Sequence, residues 1–322
     1  MVIRVDKLPV QLPTPDSPNP NAAAAVQELM GGKFGEMSTL MNYTFQSFNF
    51  RGRSKARPFY DLLCNIAAEE HAHIEVVSAA INLLLTGATK RADRREAGPA
   101  AQKAAPLEGM LNARNSYHFL ASAQASLPVD SMGNPWNGSY VFSSGNLKLD
   151  LLHNFFLECG ARANKIRVYE MTSDPVARAL VGFLLVRGGV HIVAYAKALE
   201  KLTGADVSKL LPIPDVSNKK FAESREHEEK GLHRVLFQFS KDDYTQAGQI
   251  WNGLHPEDGS ELEVRTGMPE GVDWPDLDEE PQLSSPGVDP DMIMYFARKM
   301  GGTSDEPMVE DVRPKTGARM PR

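Results

Sequence analysis

The chain has 322 residues, enough to bury a large core, and its 42% hydrophobic and 24% charged residues are typical of a soluble globular protein. Its net charge of −6, without a long basic block, argues against nucleic acid as a partner. Two cysteines, Cys64 and Cys159, exclude a disulfide scaffold and suit a reducing compartment. Since there is no apolar signal segment, and the most apolar stretch, 179–186, is too short to cross a membrane, the sequence predicts a cytoplasmic protein with no membrane partner.

Four long helices are predicted, each with an apolar stripe at three- and four-residue spacing. The first spans 21–50, after a proline-rich start, and the second spans 58–85. The third spans 150–171. Asp174, a good N-cap followed by proline, begins the fourth helix, which ends near Gly204.

The remaining segments predict loops and one short helix. Residues 88–149 form a long crossover rich in proline and glycine, with a short hairpin, and 218–240 form one further short helix. We therefore predict an all-α fold in which 1–20 is an extension, 21–240 is a four-helix bundle, and 241–322 is an irregular carboxyl-terminal extension. The crossover and this extension are expected to contact neighbouring subunits.

Each predicted helix carries a metal-binding side chain within its apolar stripe. Glu36 lies on the first helix, Glu70 and His73 on the second, Glu158 on the third, and His191 on the fourth. Burying a carboxylate is costly unless it is paired or binds a cation, so these residues require an explanation. Glu70 and His73 are three residues apart and therefore share one face. Three carboxylates and two imidazoles suit a pair of manganese or iron ions.

The same pattern leaves alternatives open. Glu69 and His71 lie off the apolar stripe, and they are interpreted as solvated or as lying behind the ligands. Gly188 precedes His191 by three residues, where a fourth carboxylate would complete a second Glu-x-x-His pair. A di-iron oxidase or ferroxidase normally uses that carboxylate, whereas a non-catalytic metal-binding bundle needs no open paired site. Both remain alternatives to a redox enzyme.

Over residues 20–240 the sequence resembles the non-haem manganese catalases. The resemblance lies in four segments, GGKFGEMSTLMNYTFQSFNFRG, NIAAEEHAHIEVV, LECGARANK and GGVHIVAYAKALE. It implies a ferritin-like bundle that disproportionates hydrogen peroxide with two manganese ions per subunit, in a homohexamer. By this resemblance Glu70 would bridge the ions. Glu36 and His73 would bind one ion, and Glu158 and His191 would bind the other.

The resemblance also assigns a role to Lys165. Some members of the family have a glutamate three residues before the last histidine and an arginine before the glutamate of the third helix, whereas this chain has Gly188 and Leu157 there. It is therefore similar to the other branch, in which a lysine seven residues after that glutamate faces the site. Lys165 occupies this position. Lys165 and Glu36 are the expected proton-handling, catalytic residues.

Calcium is a further expectation, because some relatives bind it near the start of the second helix. Asp61 and Asn65 could contribute oxygen ligands there. Calcium needs six to eight oxygens, and the sequence does not identify the others.

Overall fold

A computed structural model describes four parts of the chain, residues 5–86, 113–114, 125–210 and 215–275. By their contacts the residues form two units, Met1–Ala88 with Gly109–Pro275 and Thr89–Glu108 with Asp276–Arg322. Every described residue belongs to the first unit. The predictions for residues 88–112, 115–124 and 276–322 lie outside the described residues.

Long helices dominate the described part of the chain, which confirms the predicted all-α bundle. They are α1 (Pro20–Gly31), α2 (Glu36–Phe48), α3 (Arg57–Thr86), α4 (Leu147–Met171) and α5 (Pro175–Thr203). Helices α1 and α2 both pack on α3, and α4 packs on α5. A contact between α3 and α5 joins these two groups, so the metal-binding residues predicted on separate helices face a common interior.

The first predicted helix is in fact two helices, so the expectation of one helix over 21–50 is wrong. Gly32 and Gly35 adopt extended backbone between α1 and α2. The chain folds back closely there, because a Cβ on Gly32 would lie 2.5 Å from the Glu28 carbonyl oxygen. A Cβ on Gly35 would lie 2.8 Å from the Leu29 carbonyl oxygen. Only glycine permits this approach, and the break makes Glu36 the first residue of α2.

Helix α5 begins and ends where the sequence predicts. The Asp174 side chain accepts a hydrogen bond from the Val176 N–H, and Gly204 ends the helix with a φ of 75°. By length and composition α5 could span a membrane, with a mean hydropathy of 1.7, which corrects the expectation drawn from 179–186. However, 94% of this apolar window is buried inside the protein, so the bundle core accounts for its hydrophobicity.

The described end of the crossover is fixed to α2 by side-chain amides. Asn42 donates to the Tyr140 carbonyl at 3.0 Å and accepts from the Phe142 N–H at 2.7 Å. Gln46 donates to the Phe142 carbonyl at 2.8 Å. Earlier in the crossover, a single antiparallel bridge between Val129 and Pro135 forms the short hairpin.

Beyond the bundle the chain forms less helix than predicted. Helix α6 (Arg225–Glu229) is short, and residues 235–238, which were expected to be helical, form a strand instead. Strands β1 (Val235–Gln238) and β2 (Glu263–Thr266) pair in parallel, and every residue of β1 is buried. The Trp251 indole N–H donates to the Arg234 carbonyl at 3.1 Å and to the Glu263 carbonyl at 3.0 Å. Residues beyond 240 therefore pack with the bundle as far as residue 275.

Gly31→Ala is expected to lower the free energy of unfolding by about 1–3 kcal/mol. The added Cβ would lie 2.5 Å from backbone atoms of Val129, so α1 and the crossover would have to separate. Gly189→Ala is the matched control, because nothing lies within 4 Å of its Cβ position in α5. In that control the free energy of unfolding should rise by about 0.5–1 kcal/mol, because alanine favours a helix more than glycine does. Chemical denaturation of both variants measures the difference, and equal stabilities would contradict the predicted clash.

Candidate metal centre

The structure brings the five predicted metal-binding residues together in the core. They come from α2, α3, α4 and α5, and the exposed fraction of each side chain is at most 1%; they are Glu36, Glu70, His73, Glu158 and His191. Buried charge at this density, among three carboxylates and two imidazoles, would be unfavourable without a counter-charge.

Glu70 lies at the middle of the cluster and faces both histidines. Its Oε1 lies 2.7 Å from His191 Nδ1, and its Oε2 lies 3.2 Å from His73 Nδ1. Glu36 Oε2 lies 3.6 Å from His73 Nδ1, and Glu158 Oε1 lies 3.4 Å from His191 Nδ1. The cluster therefore consists of two carboxylate–imidazole pairs that share Glu70.

The local structure of each helix explains how these side chains meet. Glu36 lies in the first turn of α2, where the helix dipole favours a carboxylate. Ligand atoms of Glu70, His73 and His191 lie within 4.8 Å of one another, close enough for metal binding. Glu158 Oε2 is buried and has no hydrogen-bond partner among the described residues. A buried oxygen without a partner, beside other hard donors, fits a cation.

Two hydroxyl groups of α2 orient the carboxylates. Thr39 donates to Glu70 Oε2 at 2.8 Å, and Tyr43 donates to Glu158 Oε1 at 2.6 Å. Burial and the Glu158 charge raise the pKa of Tyr43 well above its usual value, so the phenol keeps its proton. The sequence pattern did not single out Thr39 or Tyr43. Their spacing from Glu36, three and seven residues, was the available signal.

Lys165 is buried at the site and is not a surface lysine. Its side chain is 3% exposed, and Nζ lies 2.9 Å from Glu36 Oε1. Burial is the largest influence and raises the pKa of Glu36, but the Lys165 ammonium and His73 together hold that pKa well below its usual range. Conversely, burial lowers the pKa of Lys165, but Glu36 and Glu158 outweigh it and raise that pKa. A Cβ on Gly188 would lie 3.6 Å from Nζ, so the glycine leaves room for the ammonium.

Glu69 lies behind the histidines, in one of the two places that the sequence left open for it. Its Oε2 lies 3.3 Å from His191 Nε2, and its Oε1 lies 3.7 Å from His73 Nε2. Arg187 Nη2 donates to Glu69 Oε2 at 3.0 Å. Because this carboxylate is paired with arginine, it does not supply the fourth ligand of a di-iron oxidase. His71, with a side chain 46% exposed, is solvated.

Comparison with known proteins identifies the family. The family model for manganese containing catalase matches residues 1–300. The chain belongs to this family. It is 33% identical over 242 residues to a manganese catalase of Lactiplantibacillus plantarum, covering 73% of this chain and 82% of that protein. It is 37% identical over 191 residues to a manganese catalase of Bacillus subtilis, covering 58% of this chain and 66% of that protein.

A solved structure supports the fold. The crystal structure of wild-type KatB, a manganese catalase from Anabaena, matches with a TM-score of 0.50 and 23% identity. The match covers 83% of this chain and 100% of that chain. The resemblance to the manganese catalases and the ferritin-like helical fold are therefore both confirmed.

Within this manganese catalase fold, the neighbouring carboxylates raise the pKa of both histidines. Burial lowers the pKa of His73, but Glu70 and then Glu36 outweigh burial and raise it to about 10. Burial likewise lowers the pKa of His191, but Glu70 and Glu69 outweigh it and hold that pKa well above its usual value. Both histidines of the metal-free chain are therefore imidazolium cations at neutral pH. A metal ion would have to displace one proton from each ring.

The two residues expected to bind calcium are engaged elsewhere. Asp61 Oδ1 lies 2.7 Å from Arg57 Nε, and Asp61 Oδ2 accepts from the Gln246 N–H at 2.9 Å. Asn65 donates to the Tyr244 carbonyl at 3.0 Å. Since the Arg57 guanidinium already neutralises the buried carboxylate, these contacts do not favour a calcium ion there.

Proposed function

We propose that the chain is a manganese catalase that converts hydrogen peroxide to water and oxygen at a pair of manganese ions. The position of Glu70, with one oxygen facing each histidine at 2.7 and 3.2 Å, carries this proposal. A carboxylate placed in this way can bridge two ions. Glu36 and His73 would then complete the protein ligands of one ion, and Glu158 and His191 those of the other.

When bound, a manganese pair supplies two redox-active ions that together exchange the two electrons of peroxide disproportionation. The protein holds the ligands for this chemistry rigidly. Thr39 and Tyr43 fix the rotation of two carboxylates through their hydrogen bonds. Surrounding side chains exclude water, since every ligand is at most 1% exposed, and a dry site strengthens each electrostatic contact.

Lys165 and Glu36 are proposed as the groups that handle charge and protons. The ammonium lies 2.9 Å from Glu36 Oε1 and would stabilise negative charge that develops on peroxide. Glu36 stays ionised beside this cation and can accept a proton from peroxide at a carboxylate oxygen.

The direct test combines elemental analysis with oxygen measurement. Protein produced with manganese is expected to contain two manganese ions per chain, to release oxygen from peroxide, and to show no haem absorption. Removing the metal should abolish oxygen release, and adding manganese should restore it. Protein that contains only iron, or that binds manganese without releasing oxygen, would contradict the proposal.

Manganese binding is expected to tighten as the pH rises. The pKa of His73 is about 10 in the metal-free chain, so near neutral pH the metal must displace its proton. Each displaced proton changes the apparent affinity by about tenfold per pH unit below that pKa. Calorimetric titration at neutral pH, one unit lower and one unit higher, measures this slope. Affinity that does not vary with pH would contradict the predicted protonation of the metal-free site.

We also propose that the protein is a cytoplasmic homohexamer. Helices α2 and α4 pack together and carry large apolar side chains that are exposed in the single chain, namely Phe45, Phe48, Leu149, Leu152 and Phe156. Exposed apolar groups of this size are typical of contact surfaces. Cys64 and Cys159 are both free, as expected in a reducing compartment. Light scattering after gel filtration measures the number of subunits.

A further inference from the structure

We propose that Glu69 and Arg187 form one positioning pair for both metal-binding histidines, so that both manganese positions depend on a single buried ion pair. This inference rests on the proposed dimanganese site. The two residues are not ligands in that proposal. The sequence left Glu69 open as solvated or as lying behind the ligands, and it gave no indication of a role for Arg187.

Glu69 contacts the nitrogen of each histidine that faces away from the ligand cluster. Its two oxygens lie 3.3 Å from His191 Nε2 and 3.7 Å from His73 Nε2. The Nδ1 atoms of both rings face Glu70. A metal-bound imidazole commonly donates its other N–H to a carboxylate, which fixes its tautomer and ring orientation. Here one carboxylate lies beside the Nε2 atoms of both rings, which are stacked 5.6 Å apart. Neither Nε2 atom has a hydrogen-bond partner among the described residues of the metal-free chain, so the proposal requires that both bonds form when bound metal orients the rings.

Arg187 in turn fixes Glu69. Its side chain is 1% exposed, and Nε and Nη2 donate to the two oxygens of Glu69 at 2.5 and 3.0 Å. Such a bidentate pair restricts rotation of the carboxylate, which a single contact would not. Without Arg187, the buried Glu69 charge would have no permanent cation facing it among the described contacts.

The other side of Arg187 is held by the chain beyond the bundle. Nη1 donates to the carbonyls of Leu232 and of Val235, the latter at 3.0 Å. The guanidinium also lies over the Phe237 ring, 5.0 Å from its centroid. These contacts place β1 directly behind the ion pair. The orientation of both histidines is thereby linked to a segment outside the four ligand-bearing helices.

Variants of Glu69 and Arg187 distinguish two effects, the loss of histidine orientation and the cost of leaving a buried charge without a partner. Arg187→Met leaves Glu69 unpaired, whereas the double variant Glu69→Gln with Arg187→Met removes both charges and avoids an isolated buried ion. Arg187→Lys keeps the charge but loses the bidentate geometry. Arg162→Met is the matched control. Arg162 is also buried, at 2% exposed, and donates to the backbone of Asp215 and Leu185 without contacting a proposed ligand.

Each protein is loaded with manganese, and release of the metal to a chelator is followed together with helical content and peroxide kinetics. Arg187→Met and the double variant are expected to release both ions together, roughly ten- to a hundredfold faster than the wild type. Arg187→Lys should give an intermediate rate. Arg162→Met should unfold more easily but release manganese at the wild-type rate while folded.

Three results would overturn the inference alone. They are a wild-type release rate in the folded double variant, faster release of only one of the two ions, and equally fast release from folded Arg162→Met. A wild-type protein that binds no manganese would instead overturn the proposed function and, with it, this inference. If Arg187→Met does not fold, the double variant and Arg187→Lys still decide between these outcomes.

Discussion

Glu70→Gln is expected to reduce manganese at both positions and to lower peroxide turnover by at least about a hundredfold, a loss of about 2.7 kcal/mol in transition-state stabilisation. Among the proposed ligands, only Glu70 faces both histidines, with its two oxygens 2.7 and 3.2 Å from their Nδ1 atoms. An amide of the same size carries no charge and offers only one oxygen. Elemental analysis and oxygen release measure the two effects.

Glu75→Gln is the matched control for this variant. Glu75 lies on the same helix and is also buried, and its carboxylate lies 3.8 Å from Nε2 of His71, which is not a proposed ligand. The control should keep both ions. If Glu70→Gln binds two ions per chain with full turnover, Glu70 is not the bridge. If Glu75→Gln loses metal equally, the effect belongs to the helix and not to the ligand.

Local patterns were sufficient to predict three of the long helices. Helices α3, α4 and α5 have continuous apolar stripes, and α5 also has Asp174 as its N-cap and Gly204 at its end. The break between α1 and α2 could not be read in this way, because single glycines are tolerated within helical patterns. The break lies at Gly32 and Gly35, whose Cβ positions approach backbone carbonyls of α1, and the spacing of apolar side chains does not reveal such backbone contacts.

The paired strands were missed for a related reason. Each has four residues, and β1 pairs with a partner 28 residues later, as in the register of Val235 with Glu263. A strand this short has too few residues to show a period, and its pairing is non-local. The four consecutive buried residues of β1 are also compatible with a buried helix. Contact with β2 and with Trp251, rather than local preference, decides between the two.

The candidate ligands could be found because each is a polar residue on an otherwise apolar stripe. Glu36, Glu70 and Glu158 all stand out in this way, and the structure places them together. The pair of Glu69 and Arg187 has no such signal. Glu69 lies off the stripe of its own helix, and Arg187 lies in the chain 118 residues later. A pairing between two helices becomes visible only when their relative rotation is known.

Lys165→Met is expected to keep the fold and both metal ions while lowering turnover roughly ten- to a hundredfold, which corresponds to about 1.4–2.7 kcal/mol. The ammonium is buried 2.9 Å from Glu36 Oε1 and is not a ligand, because a cation beside two divalent ions is repelled. Its proposed work is to stabilise charge that develops on peroxide. The bound metal would still neutralise Glu36, so the loss should appear in kcat and not in manganese content.

Lys197→Met controls for the loss of a lysine, since Lys197 lies on α5 and donates to the Asn252 carbonyl at 2.8 Å, outside the cluster. Its kinetics and metal content should match those of the wild type. Unchanged turnover in Lys165→Met would limit Lys165 to balancing the charge of Glu36 in the metal-free chain. Loss of manganese would instead mean that the ammonium is needed to hold Glu36 in place, and the electrostatic role in turnover would then have to be tested in a variant that keeps the charge, Lys165→Arg. The guanidinium is larger than the ammonium and planar, so it should fit this buried position poorly and recover only part of the activity.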